Sequence, residues 1–202
     1  QLNDTSSVVF PRSALKVTQT LQSGLIWRID ADVSTKRAHG GDSAAVLREA
    51  YLSYRDGPLD VKVGLQNILW GRADVLNPTD NLTPRRFTWL SMTDAEQRVG
   101  SPALQVGYEL GFGKVNIVAL PVFRPSVIPL GDTGGLSVRE IRPDDTKRDF
   151  ALKFERQEPE LEWSVSWLHG HSLRPNITPA ANITTSATLE LRYPKVDVIG
   201  AD

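Results

Sequence analysis

The chain has 202 residues and a formal net charge of −1, from 23 lysines and arginines against 24 aspartates and glutamates. It contains no cysteine, which excludes disulfides, thiolate catalysis and cysteine-ligated metal centres. The balanced charge argues against nucleic-acid binding, and no stretch reaches the roughly 18 uninterrupted apolar residues of a transmembrane helix. Composition therefore leaves a soluble protein or a β-barrel.

Apolar and polar residues alternate with a period of two along most of the chain. Since successive side chains of a strand point to opposite faces, each alternating segment predicts a β-strand with one apolar and one polar face. The segments are 27–33, 50–54, 59–65, 104–110, 115–123, 150–154, 161–167, 189–193 and 196–198. In 115–123 the apolar residues Val118, Leu120 and Val122 interrupt the polar face. We count about nine strands, the first at 25–34 and the last at 195–202, with 13–22 as a further candidate.

Short and long connections alternate between these strands. Gly, Pro and polar residues mark tight turns at 55–58, 111–114, 156–159 and 193–195, whereas long links span about 35–45, 67–101, 124–147 and 169–186. This alternation is typical of transmembrane β-barrels, in which short periplasmic turns oppose long external loops. Aromatic residues lie toward the strand ends, as in the interfacial girdle of membrane barrels: Trp27, Tyr54, Tyr108, Phe123, Phe154, Trp167 and Tyr193.

The pattern predicts an all-β protein, an antiparallel up-and-down transmembrane β-barrel in which 1–202 form a single domain and 1–24 lead into the barrel. Bacterial single-chain barrels have even strand numbers, so an odd count leads us to expect an incomplete N-terminal part of a larger barrel. The alternative is a soluble β-sandwich, whose strands also alternate because one face packs on a core.

The polar faces of the predicted strands carry charges of both signs. In a barrel these side chains line the lumen, where rows of opposed charge tune the selectivity of a pore, or they neutralise one another across strands and stabilise the wall. The predicted pore-lining residues are Arg28, Asp30, Asp32, Glu49, Arg55, Asp60, Lys62, Glu109, Lys153, Glu155, Glu162, Glu190 and Arg192.

The link 67–101 is the most distinctive segment, a loop of about 35 residues without a predicted strand. Folded into the lumen, it would narrow the pore, and Arg85 and Arg86 would favour anions through bidentate contacts. As an external loop it would pack on its neighbours. The predicted constriction residues are Arg72, Asp74, Asp80, Arg85 and Arg86.

Beyond the alternation, the chain contains several distinctive stretches. They are Leu-Arg-Glu-Ala-Tyr-Leu-Ser-Tyr at 47–54, Val-Gly-Leu-Gln at 63–66, Trp-Gly-Arg-Ala-Asp at 70–74, Asn-Pro-Thr-Asp at 77–80, Pro-Arg-Arg at 84–86 and Val-Ile-Gly-Ala-Asp at 198–202. These stretches resemble a porin-like Gram-negative outer-membrane family of unknown function, the last of them resembling an internal strand. The resemblance implies an outer-membrane location and a chain longer than 202 residues. Relatives that look like partners of inner-membrane exporters imply export of a lipidic or hydrophobic solute.

We expect no metal site, no cofactor and no catalytic residue. His169 and His171 lie two residues apart, but no carboxylate partner is evident, and the cluster is predicted to form a surface turn. We do not expect Ser172 and His171 to form a nucleophile pair, since adjacent residues on a strand point apart. The acidic and amide residues at 74–81 do not have the spacing of a calcium loop.

The expected function is that of an outer-membrane, porin-like channel that passes or exports solutes through a charged lumen without enzymatic activity. Its expected partners are outer-membrane lipid, a small-molecule or lipidic solute, and a periplasmic or inner-membrane exporter protein, but no nucleic acid. The alternatives are a soluble β-sandwich binding module and a barrel enzyme that acts on lipid.

Overall fold

The computed structural model describes residues 12–21, 24–34, 44–70, 80–87, 97–128, 130, 137–144, 148–158, 161–179 and 188–202. Within them, the strands are β1 (Arg12–Thr20), β2 (Leu25–Ser34), β3 (Ala44–Asp56), β4 (Leu59–Gln66), β5 (Ser101–Glu109), β6 (Lys114–Leu120), β7 (Ser137–Ile141), β8 (Asp149–Gln157), β9 (Glu162–His171), β10 (Asn176–Pro179), β11 (Thr188–Arg192) and β12 (Lys195–Ala201). This part of the chain contains no helix that is long and apolar enough to cross a membrane.

Nine strands form one large antiparallel sheet in the order β1-β2-β3-β4-β5-β6-β8-β9-β12. From β1 to β6 each strand pairs with its neighbour in sequence, which confirms the predicted all-β, up-and-down arrangement. Gly57 and Gly111 have positive φ angles of 52° and 79° in the turns after β3 and β5, a conformation that favours glycine. The described residues do not close a barrel, since β1 and β12 form the two edges of the sheet.

The first edge strand lies in the segment that was predicted to lead into the barrel. β1 pairs with β2 along its whole length, from Arg12 opposite Ser34 to Thr20 opposite Ile26. The candidate strand at 13–22 is therefore confirmed as Arg12–Thr20. The described residues of 1–24 belong mainly to the sheet itself.

The predicted tight turn at 193–195 does not join two neighbouring strands. β12 pairs with β9, with Lys195 opposite His171, whereas β11 pairs with β10 and β7 in a separate three-stranded sheet, here called the small sheet. The chain leaves the large sheet after β9 and returns to it after Pro194. At five residues, β11 is also shorter than the roughly 9–11 residues with which a tilted strand crosses a bilayer.

The two faces of the large sheet differ in composition and in exposure. One face, here called the apolar face, presents large hydrophobic side chains to the surroundings, with exposed fractions from 38% for Trp167 to 79% for Ile199. Its exposed residues are Leu15, Ile29, Leu47, Leu52, Tyr54, Val63, Leu104, Tyr108, Ile117, Phe150, Leu152, Val165, Trp167 and Ile199. The opposite, polar face includes buried Gln66, Asn116, Lys153, Ser164 and Ser166. A water-soluble sheet has the reverse distribution, with its apolar face covered.

Cross-strand register joins the apolar residues into continuous rows. One row crosses seven strands from β3 to β12, through Tyr54, Val61, Val106, Ile117, Leu152, Trp167 and Ile199. Directly opposed side chains of this kind contact one another and fix the register of a sheet. The apolar face is therefore one contiguous surface.

The buried apolar cluster lies on the polar face of the sheet. Ile68, Trp70 and Leu82 come from the link between β4 and β5, and they pack with five side chains of the sheet, namely Ala103, Val118, Leu120, Ala151 and Leu168. The core therefore lies between the polar face and the loop segments that cover it.

Candidate functional site on the polar face

The polar face gathers most of the predicted pore-lining positions. Strand register places on this side Arg28, Asp30, Glu49, Arg55, Asp60, Lys62, Glu109, Lys153, Glu155 and Glu162. The side chain of Asp32 lies outside what the structure describes, so its pore-lining role stays a prediction. Glu190 and Arg192 do not join them, because β11 belongs to the small sheet. There Arg192 Nη2 lies 2.6 Å from Glu190 Oε2. The structure thus does not place these two residues on the large sheet, and their pore-lining role stays a prediction.

Several half-buried charges on this face form ion pairs. Arg28 Nε lies 2.8 Å from Glu49 Oε2, and Arg28 Nη2 lies 3.5 Å from Asp30 Oδ2. Lys153 Nζ, on a nearly buried side chain, lies 3.1 Å from Glu155 Oε2. These pairs neutralise charges that would be costly to bury alone, so loss of either partner would destabilise the large sheet.

The charges near the tight turns are more exposed. Arg55 Nη2 lies 3.2 Å from Asp60 Oδ2, and Lys114 Nζ lies 3.3 Å from Glu109 Oε1. Exposed pairs of this kind contribute about 0–1 kcal/mol each. The side chains at this end of the sheet are thus accessible to water and mobile ions.

Asp80 joins two arginines of the link between β4 and β5. Arg85 Nη2 donates a hydrogen bond of 2.9 Å to Asp80 Oδ2, and Arg98 Nη1 donates to the same oxygen. The side chains are 15%, 9% and 1% exposed for Arg85, Arg98 and Asp80. The other oxygen, Asp80 Oδ1, is buried and has no hydrogen-bond donor among the described residues. Neither arginine therefore forms a two-oxygen fork with Asp80.

Backbone hydrogen bonds hold three loop segments side by side. Residues 84–87 lie between 97–99 and 126–127, with Arg86 N donating to Gln97 O at 2.7 Å and Val127 N donating to Arg85 O at 2.8 Å. Arg85 lies directly opposite Arg98 in this arrangement, and Arg86 lies beside Val127. We call residues 80–87, 97–100 and 123–128 the loop platform.

The loop platform is anchored to the large sheet by buried polar contacts. Thr83 Oγ1 accepts a hydrogen bond from Ile68 N at 2.8 Å, and Ser101 Oγ on β5 donates to Leu82 O at 2.8 Å. Leu82, Thr83 and Pro84 are almost fully buried. The described part of 67–101 thus packs against the polar face of the sheet. Narrowing of a lumen by this loop stays a prediction, and Arg72 and Asp74 lie outside the described residues.

A further arginine reaches the same region from the segment after β6. Arg124 Nη1 donates a 2.8 Å hydrogen bond to Gly100 O, two residues from Arg98. Burial lowers the pKa of the Arg124 guanidinium from its ordinary value. Even so, an arginine keeps its positive charge under physiological conditions.

The two histidines of β9 have carboxylate partners, contrary to the prediction of a surface turn without one. His171 is buried, and Asp149 of β8 accepts from its backbone N–H at 3.0 Å and contacts its Nδ1 at 2.8 Å. His169 Nδ1 lies 2.7 Å from Asp197 of β12. These partners lie on neighbouring strands, where sequence spacing does not reveal them. Across the described residues, no three side chains of the metal-binding types cluster together.

Tyr193 links the small sheet to the region around His171. Its hydroxyl donates a 2.7 Å hydrogen bond to Glu140 Oε1, and its ring meets the Phe123 ring edge to face at 5.0 Å. Burial and the adjacent carboxylate raise the pKa of Tyr193 above its ordinary value. Burial alone would raise the pKa of Glu140, but hydrogen bonds from Arg142 and Tyr193 outweigh it and lower that pKa.

No family model, curated protein or solved structure matches the chain. The resemblance to the outer-membrane family therefore stays a prediction, and the candidate site rests on the geometry of the polar face and the loop platform.

Proposed function

We propose that the large sheet is the wall of a porin-like β-barrel channel in the outer membrane, with its apolar face in lipid and its polar face toward an aqueous lumen. The exposed apolar face carries this proposal. Soluble monomers rarely expose contiguous apolar patches larger than a few hundred Å². Here the row through Ile117 crosses seven strands, and all its residues but Val61 and Val106 are at least 38% exposed.

The lengths of several strands of the large sheet support a bilayer crossing. β2, β5, β8 and β9 have 10, 9, 9 and 10 residues, and a tilted transmembrane strand needs roughly 9–11 residues. In lipid the unpaired backbone groups of an edge strand cost several kcal/mol each. The proposal therefore includes closure of the sheet at β1 and β12.

The channel would work by passive passage, with no bond made or broken. Charged side chains of the polar face would set the local potential, and the loop platform would limit the width available to a solute. The proposed partners are the surrounding outer-membrane lipid, a small-molecule or lipidic solute, and a periplasmic or inner-membrane exporter protein. Outer-membrane lipid is proposed because of the exposed apolar face. The solute and the exporter protein are proposed because of the polar lumen and the resemblance to the outer-membrane family.

A soluble β-sandwich requires that the apolar face of the same strands be buried. It would need a second layer over the apolar face, yet the exposed fractions leave this face uncovered in the described part of the chain. For this reason we favour the membrane wall over the soluble binding module.

Two measurements on the purified full chain test the proposal. Removal of detergent should cause aggregation unless lipid replaces it, and reconstitution into planar bilayers should give stable current steps that scale with salt concentration. A chain that stays monomeric and folded without detergent would refute the membrane wall. A folded, bilayer-inserted chain without current steps would refute the open channel alone.

A further inference from the structure

We propose that the apolar face binds a lipid headgroup that carries both a phosphate and an amine, where the end of β9 meets the start of β12. Trp167, His169, Lys195 and Asp197 form this place, here called the β9–β12 corner. The inference rests on the proposed function and deepens it, because it assigns a headgroup class to the lipid that surrounds the large sheet.

Charged side chains reach the apolar face at the β9–β12 corner. Lys195, Asp197 and Ile199 alternate along β12 with exposed side chains. Ile199 lies opposite Trp167 in the row of apolar residues, so all three share the apolar side. A charge on the lipid side of a barrel is costly at the bilayer midplane and costs little near the interface. The β9–β12 corner is therefore assigned to the level of the headgroups.

Aromatic side chains beside these charges indicate the same level. The rings of Phe150 and Trp167 meet edge to face with their centroids 5.2 Å apart, and the ring of His169 lies 5.1 Å from that of Phe150. Trp167 Nε1 donates to Asp197 Oδ1 at 3.3 Å, and His169 Nδ1 lies 2.7 Å from the same oxygen. Tryptophan, with an apolar ring and a polar N–H, concentrates at membrane interfaces. The boundary between hydrocarbon and headgroups thus runs next to Asp197.

The carboxylate of Asp197 suits a lipid amine. Its side chain is 59% exposed, and both of its hydrogen bonds end on Oδ1, so Oδ2 has no donor within the described part of the chain. A primary ammonium group has N–H donors for this oxygen, whereas a quaternary ammonium group has none. The exposed ring of Trp167 adds an attraction for either cation.

The positive charges nearby suit the phosphate of the same headgroup. Lys195 lies two residues from Asp197 on the same side of β12, and its flexible stem lets the ammonium group reach a phosphate oxygen. Arg148, exposed just before β8, adds a cation at the same end of the large sheet. A headgroup with a phosphate alone would be repelled by Asp197, so the paired charges favour a headgroup that carries both signs.

The test is native mass spectrometry of the detergent-solubilised full chain, titrated with phosphatidylethanolamine, phosphatidylcholine and phosphatidylglycerol of identical acyl chains. Phosphatidylethanolamine should bind most tightly. Asp197→Asn should weaken its binding about 2- to 5-fold, the value of an exposed ion pair, and remove its advantage over phosphatidylcholine. Lys195→Gln should weaken the binding of all three lipids, since each carries a phosphate. Glu158→Gln is the control, because it removes an exposed carboxylate in the turn between β8 and β9, at the opposite end of the large sheet.

Equal affinity of the unmodified chain for the three lipids would overturn the headgroup site, and so would a preference for phosphatidylglycerol. An equal loss in Asp197→Asn and Glu158→Gln would also overturn it, by indicating bulk electrostatics. If Asp197→Asn does not fold, Trp167→Phe replaces it, and an unchanged preference in both Trp167→Phe and Lys195→Gln overturns the proposal. A chain that requires detergent but binds the three lipids equally refutes the headgroup site alone, whereas a chain that stays monomeric without detergent refutes the membrane wall as well.

Discussion

Replacing Ile117 by arginine asks whether the apolar face lies in lipid or in water. Ile117 is in the middle of β6, between Val106 of β5 and Leu152 of β8, so it is central in both directions of the sheet. Its side chain is 51% exposed, and its register neighbours on both sides are apolar. The substitution therefore probes the surroundings of the face more than its packing.

The expected cost differs sharply between the two environments. An arginine at the midplane of the lipid-facing side of a barrel costs about 2–4 kcal/mol, which corresponds to a roughly 30- to 700-fold loss in the folding equilibrium. In water, a substitution at a half-exposed surface position stays within about 0.5 kcal/mol. A membrane wall and a soluble sheet thus predict changes that do not overlap.

Ile177 provides a matched control on the small sheet. It is also an isoleucine in a strand, with an exposed fraction of 52%, but β10 lies outside the large sheet. Ile177→Arg should therefore change stability by no more than about 0.5 kcal/mol. The assay is urea-driven unfolding of each variant from lipid vesicles, followed by tryptophan fluorescence. Equal and small costs for Ile117→Arg and Ile177→Arg would refute the placement of the apolar face in lipid.

Three further predictions concern the stability of the fold, each measured by chemical or thermal unfolding. Because the pKa of Tyr193 is raised, its hydrogen bond to Glu140 stabilises the fold fully below the ordinary tyrosine pKa of 10.0, and this stabilisation is lost as pH rises above that value. Tyr193→Phe should therefore lower the free energy of unfolding by about 1 kcal/mol at neutral pH, and the variant should no longer lose this stabilisation at alkaline pH. Asp149→Ala should cost about 1–3 kcal/mol, since it leaves the backbone N–H and the ring of buried His171 without their acceptor, and an unchanged midpoint would contradict the pairing. Gly64→Ala should lower the free energy of unfolding by about 1–3 kcal/mol, because Gly64 has a φ of 126° and an added Cβ would lie 2.4 Å from a β3 carbonyl oxygen. An unchanged stability would refute this close approach.

The period-two alternation predicts the strands and their faces because it reports a local property. Side-chain direction in a strand depends only on position along that strand, so Arg28 and Lys153 were correctly assigned to the polar side without knowledge of their neighbours. The sheet order from β1 to β6 follows from the same pattern, since tight turns place successive strands side by side.

Pairing between distant segments is not encoded in that local pattern. β11 and β12 both alternate, and Pro194 between them is typical of a turn, but the sequence does not specify that β12 pairs with β9 instead. The same difficulty concealed the partner of His171, because Asp149 is 22 residues away in sequence and adjacent only through strand register. Pairing between distant strands depends on the arrangement of the whole sheet, so these contacts could not be predicted from the local sequence pattern.

The position of the loop platform, by contrast, is indicated in the sequence by apolar residues that interrupt the alternation. Val118 and Leu120 occupy polar-face positions of β6, where a water-filled lumen favours polar side chains, and both are buried, at 0% and 7% exposure, against Leu82 and its neighbours. Leaving such residues uncovered in water would cost about 1.5–3 kcal/mol for each side chain. An apolar interruption on the polar face of a strand therefore indicates where a loop folds back onto the sheet. In this chain it marks the part of the sheet that 80–87 covers, next to the arginines around Asp80.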